Sequence, residues 1–238
     1  ATFTMRRDGS SRFGANNKWG LFPSGSVAWN IMREDFMDNV PFLSLLKLRA
    51  GFGLSGNQEI GNYLALPTIY IGGPSFNFET GEEAREFNQS HNANPDLRWE
   101  TNSEINVGLD FGILTNKLSG SLEYYRKNTF DLLNEYTVPV PPNVVRNTWA
   151  NAGAITNQGI ELNLNYFAVN TSNFTWKAGL AFSRNKQSIG SLSSGDYEWT
   201  EADKKRAWLS GRGLVGDQNW SQYIEEGWEL GTFYMPEY

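Results

Sequence analysis

Between Trp99 and Ile113 the sequence alternates residue by residue. Trp99, Thr101, Ser103, Ile105, Val107, Leu109, Phe111 and Ile113 fall on one side, and Glu100, Asn102, Glu104, Asn106, Gly108, Asp110 and Gly112 on the other. A period of two is that of an extended strand. At about 3.3 Å per residue the run is long enough to cross a bilayer with tilt. Leu46 to Leu54 repeats the pattern, with Lys47 and Arg49 opposite Leu46, Leu48, Ala50, Phe52 and Leu54. Charges at such positions need water, so only one face of this sheet can be dry. Similar runs occupy Lys117–Lys127, Gly159–Ala168 and Phe174–Lys186, with weaker ones at Ala1–Arg7, Trp19–Ile31 and Tyr223–Met235. The expectation is an all-β chain of about eight antiparallel strands.

The links between strands alternate in length. Thr115-Asn116 and Val169 to Asn173 are tight turns, whereas 56–98, 128–156 and 187–222 are long and rich in Gly, Asn, Ser and Pro. Met32–Phe42 is intermediate, with a helical turn expected over Glu34–Asn39. Short turns at one end and long loops at the other mark an outer-membrane barrel. Structureless loops of this length are uncommon in a compact soluble domain.

Composition fits that reading. Nine Trp and ten Tyr accompany 24 Gly and a negative mean hydropathy, as expected where apolar residues come only at alternate positions and aromatics gather at the lipid–water boundary. Lys and Arg number 20 against 26 Asp and Glu, a net charge of −6 with the signs interspersed. Nothing in that balance asks for a nucleic-acid partner. Cysteine is absent, which excludes disulfides, thiolate metal sites and cysteine nucleophiles. The start, Ala1 to Arg7, has no signal-peptide pattern, so export is expected to depend on a leader upstream.

Several stretches, in order, resemble the SusC/RagA family of TonB-linked outer-membrane proteins. They are Arg7 to Gly14, Trp19 to Ser24 with Ala28-Trp29, and Leu48-Arg49-Ala50 through Gly56 to Gly61. Asn94-Pro95-Asp96-Leu97-Arg98-Trp99-Glu100, Gly108 to Gly112, Leu118 to Gly120 through Tyr124-Tyr125, and Asn157 to Glu161 complete the set. The resemblance implies that residues 1–238 are part of a large transmembrane barrel of the roughly 22-stranded type, without the plug domain. It further implies a location in the bacterial outer membrane and import of oligosaccharides or peptides. The implied partners are outer-membrane lipid, a SusD-like surface lipoprotein, and TonB through parts of the full-length protein not in this chain.

Motifs that might carry chemistry have simpler explanations. Gly51 to Gly56 and Gly211 to Gly216 fit a dinucleotide fingerprint, but neither opens an amphipathic helix. His91 is the only histidine and lacks an acidic cluster for zinc. No G-x-S-x-G context supports a serine triad. The neighbours Glu82-Glu83 and Glu225-Glu226 would point to opposite faces of a strand, which is wrong for a glycosidase pair. Ser183 to Lys186 matches S-x-x-K without companion motifs, and the N-x-S/T acceptors at Asn88, Asn170, Asn173 and Asn219 carry little meaning in a bacterium. The sequence therefore supports no enzyme, catalytic residue, metal or cofactor, and leaves substrate-binding residues open.

Tyr63, Tyr70, Trp149, Tyr197, Trp199, Trp208 and Trp220 could stack on sugars, although packing the loops or joining the interfacial belt is the simpler role. Trp29, Trp99, Tyr124, Tyr166 and Trp176 are the stronger belt candidates. The apolar side is expected to face lipid, with Lys47, Arg49, Glu104, Asp110, Glu161 and Lys177 toward the lumen. On that orientation Leu109→Arg should block assembly and Asp110→Asn should be tolerated. Two alternatives are a secreted β-sandwich that binds carbohydrate and a complete eight-stranded outer-membrane adhesin.

Overall fold

The computed structural model describes residues 1–195, 197–208 and 220–233, without the side chains of Ala202, Arg206, Ala207 and Trp208. The strands are β1 (Thr2–Gly9), β2 (Trp19–Asn30), β3 (Leu43–Asn57), β4 (Ile69–Phe76), β5 (Glu83–Gln89), β6 (Glu100–Ile113) and β7 (Leu118–Phe130). They continue with β8 (Leu133–Thr137), β9 (Asn147–Asn151), β10 (Ala154–Asn170), β11 (Thr175–Ser191), β12 (Lys205–Trp208) and β13 (Trp220–Tyr223). Seven form one antiparallel sheet in the order β1-β2-β3-β6-β7-β10-β11. It is a meander once the small hairpins β4–β5, β8–β9 and β12–β13 are set aside.

Register makes the two faces continuous. Trp29, Leu48, Leu109, Leu122, Leu162 and Phe182 form one cross-strand row, and Val27, Ala50, Val107, Tyr124 and Ile160 the next. On the opposite face the rows run Lys47, Asp110, Ser121, Asn163, Ala181 and Arg49, Gly108, Glu123, Glu161, Ser183. Because the side-chain period is two, a slip of one residue in any pair would carry charge onto the apolar side. No second sheet covers the apolar face among the described residues, and its large side chains are open. Trp19 is 64% exposed and Trp176 is 58% exposed. A soluble sandwich, which needs those faces packed together, is thereby excluded. Among the described residues the free edges of β1 and β11 do not pair, so the sheet does not close as an eight-stranded barrel.

Three expectations need correction. Tyr223–Met235 is not a strand: β13 ends at Tyr223, and the chain turns at Gly227 and Gly231, both with positive φ. Tyr234 to Tyr238, like the motif Gly211–Gly216, lies outside the described residues. The long links are not structureless, because each carries a hairpin, and β7, β10 and β11 extend beyond the lengths expected from alternation. The turn between β2 and β3 is two short 3-10 helices, Ile31–Arg33 and Asp35–Met37.

The β6–β7 turn places Leu114, Thr115 and Asn116 at φ of 52°, 57° and 62°. Left-handed backbone costs an L-residue about 1–2 kcal/mol, and branched Thr115 is the poorest fit of the three. Ser44 helps hold the turn by accepting the Asn116 amide at 3.0 Å and donating to its side-chain oxygen at 2.7 Å. Thr115→Gly should raise unfolding stability by about 1 kcal/mol, measurable by urea titration of refolded protein in detergent.

Candidate functional site

The buried core lies at the long-loop end of the sheet, not between layers. Phe13, Phe22, Ala65, Leu97 and Trp99 pack together, with Leu54, Ile60, Leu64, Leu133 and Trp149 against them. Trp99 is 7% exposed and contacts the rings of Phe13 and Phe22 at 5.0 and 5.5 Å between centroids. Its expected place in a lipid belt is therefore wrong, since the chain leaves the alternating strand at Trp99 and turns it into the loop core. Trp29, Tyr124, Tyr166 and Trp176 do lie open on the apolar face. Trp19 joins them, with the Arg7 guanidinium 4.6 Å above its ring.

Asparagines stitch three loops into one body at this end. Asn92 donates to the carbonyls of Val145 and Asn147 at 2.6 and 3.2 Å and to Thr148 Oγ1 at 2.9 Å. Its side-chain oxygen accepts the amides of Val144 and Val145. Asn94 donates to the Trp149 carbonyl at 2.8 Å, and the Gly14 amide donates to the Leu97 carbonyl at 2.9 Å. Asn151 accepts the Arg98 amide and donates to the Arg98 and Asp131 carbonyls. Arg98 forms a two-pronged pair with Asp131, which raises its already high pKa. A second cluster, Tyr136, Ala150 and Ala152, packs against Tyr197 and Trp199. There the Tyr136 hydroxyl donates to the Ala152 carbonyl at 3.0 Å, and burial pushes the phenol above its ordinary pKa.

Sequence reasoning missed this asparagine network, although the run Asn88 to Asn94 is the composition of side chains that bond backbone in turns. Trp149, Tyr197 and Trp199 pack loops, whereas Tyr63 and Tyr70 stand exposed. Trp220 begins β13, and the side chain of Trp208 lies outside the described residues. His91 is buried, with Nδ1 3.0 Å from Ser90 Oγ, and among the described residues no acid or histidine cluster could hold a metal. Gly51 to Gly56 lies inside β3 with no helix behind it. Glu83 opens β5, Glu225 and Glu226 sit in a turn, and Glu226 accepts the Leu192 amide.

On the polar face, Arg49 reaches across two strands. Its Nε and Nη2 donate to the Asp110 carboxylate, each at 2.9 Å, and Nη2 also reaches Glu123 at 2.6 Å. Lys47, Glu104, Glu161 and Lys177 share this face, so the expected set is brought onto one wall but not into one cluster. Asp110 is not the neutral position it looked from sequence. Arg49→Gln should cost about 1 kcal/mol, because the ion cluster is partly solvated, and Asp110→Asn should cost a similar amount by urea unfolding. Two recesses lie nearby. One, of about 420 Å³, sits over Gly51 and Gly53 and is lined by Thr4, Ser24 and Glu104. The other, of about 290 Å³, lies between loops beside Arg12, Lys18 and Tyr63.

A sheet with one open apolar face, one charged face and a loop core at one end is the form of a barrel wall. The sequence model of the family described as TonB dependent receptor-like, beta-barrel, matches residues 1–237. The chain belongs to this family. This receptor-barrel segment is 38% identical over 82% of its length to TonB-dependent receptor SusC of Bacteroides thetaiotaomicron, covering 20% of that protein. It is 35% identical over its whole length to TonB-dependent receptor P3 of Formosa agariphila, covering 22% of it. A solved structure of the RagAB peptide importer in the "open-open" state superposes on 80% of the chain and 20% of its own with a TM-score of 0.71 at 31% identity. The SusC/RagA type read from sequence is thus shown, and the receptor barrel is not an enzyme. The chain spans about a fifth of the length of the curated relatives it matches.

Proposed function

We propose that this chain forms part of the wall and extracellular mouth of an outer-membrane TonB-dependent importer of nutrients, with oligosaccharides or peptides as the substrate class. The observation that carries the reading is the division of one seven-stranded sheet into an unbroken apolar face and a face bearing the Arg49–Asp110–Glu123 cluster. In lipid such a sheet also needs strand partners at both edges, because unpaired backbone groups cost several kcal/mol each. The stitched loops, at the end opposite the short turns, form the extracellular rim, where a SusD-like lipoprotein would sit. TonB would act through other parts of the full-length receptor. Names among the relatives support both substrate classes, SusC on one side and a peptide importer on the other.

The test is deletion of the gene for the full-length receptor, followed by uptake of fluorescently labelled oligosaccharide and peptide pools. Uptake of one pool should fall about tenfold and return on complementation. Equal uptake of both pools with and without the gene, and no receptor in the outer-membrane fraction, would remove the importer reading.

A further inference from the structure

On the apolar face, immediately above the hydrophobic band at the long-loop end, three cations gather. Gln158 of β10 pairs with Arg126 of β7 on one side and Lys186 of β11 on the other, while Arg184 stands opposite Ile160 one step below. Adjacent strands are about 4.8 Å apart and like-facing residues about 7 Å, so long side chains from all three positions can reach one headgroup. Arg126, Arg184 and Lys186 are exposed, and none is among the ion pairs of the described residues. No acid shares this face of β6, β7, β10 or β11. Around the cations stand Ser103, Asn128, Thr156 and Ser188, and beneath them Tyr124, Ile160 and Phe182. The opposite rim of the same strands is aromatic instead, with Tyr166 and Trp176.

Three unpaired cations over an apolar wall complement an anion that carries alkyl chains. We propose that Arg126, Arg184 and Lys186 form a binding site for the headgroup phosphate of an outer-leaflet membrane lipid, whose chains lie along the Tyr124, Ile160 and Phe182 surface. The proposal rests on the barrel reading and its orientation. A basic residue near an anionic headgroup changes affinity by about fivefold, and removing three should change it by well over tenfold.

The full-length receptor, purified from outer membranes in dodecyl maltoside, should be titrated with dimyristoyl phosphatidic acid and, separately, dimyristoylglycerol. Adducts are counted by native mass spectrometry. Arg126→Gln/Arg184→Gln/Lys186→Gln should reduce phosphatidic acid adducts more than tenfold and leave diacylglycerol adducts unchanged. Lys186→Gln alone should reduce them about fivefold, which keeps the test open if the triple variant fails to assemble. Equal phosphatidic acid binding by wild type and variant overturns the site while leaving the barrel reading intact. Displacement of the lipid by millimolar inorganic phosphate overturns the lipid assignment. Wild-type receptor absent from the outer membrane overturns the barrel reading and the site together.

Discussion

Leu109→Arg is expected to abolish assembly of the receptor, while Asn163→Lys, one row away on the other face, leaves it intact. Leu109 lies between Leu48 and Leu122 in the row that continues to Leu162 and Phe182, with apolar side chains above and below. An arginine at the bilayer midplane of a barrel costs about 2–4 kcal/mol. Long side chains escape this by reaching toward the headgroups, but from the central row the nearest boundary is several residues away. Asn163 is exposed on the polar face between Ser121 and Ala181, where a lysine keeps its water. The measurement is heat-modifiable migration of each full-length variant in outer-membrane extracts. A folded band for Asn163→Lys and none for Leu109→Arg is the expected pair. Folded bands of equal strength for both would mean that the apolar face does not meet lipid.

Those positions could be chosen before any coordinates, because alternation along a strand is a local signal and each run announces its own face. Six of the seven sheet strands kept the parity read from sequence, and β1 needed only its partner β2 to fix it. What could not be read was anything decided between loops. Trp99 continues the alternation of β6 in sequence, yet Phe13 and Phe22, about eighty residues earlier, draw it inward. Asn92 and Asn94 look like ordinary turn residues until the segment 144–149 lies beside them. Tyr223 to Phe233 carries enough aromatic residues to mimic a strand, but Gly227 and Gly231 at positive φ fold it back. Asp110 was legible as lumenal, whereas its bond to Arg49 depends on the register of β3 against β6, which alternation leaves undetermined by multiples of two.

Gly14→Ala is expected to loosen the mouth without harming the barrel wall. A Cβ at Gly14 would fall 1.6 Å from the Pro95 carbonyl oxygen and 2.4 Å from its carbon. Both are backbone atoms, so no side-chain rotation relieves the clash. The φ of Gly14 is not in the left-handed region; the requirement is space alone. Moving residues 94–97 away pulls on the Gly14–Leu97 hydrogen bond, on Asn94 where it grips Trp149, and on Leu97, which is fully buried. Overpacking of this kind costs about 1–3 kcal/mol, all of it in the loop body. Proteinase K on intact cells should therefore cut the loop between β3 and β6 at least tenfold faster in Gly14→Ala than in wild type, with the heat-modifiable barrel band unchanged. Gly73→Ala provides the control, because a Cβ there meets nothing within 4 Å and protection should stay at the wild-type level. Unaltered protection in Gly14→Ala would show that the three loops are not held as one body. Loss of the barrel band would show instead that the loop core, and not the sheet, decides whether this wall assembles.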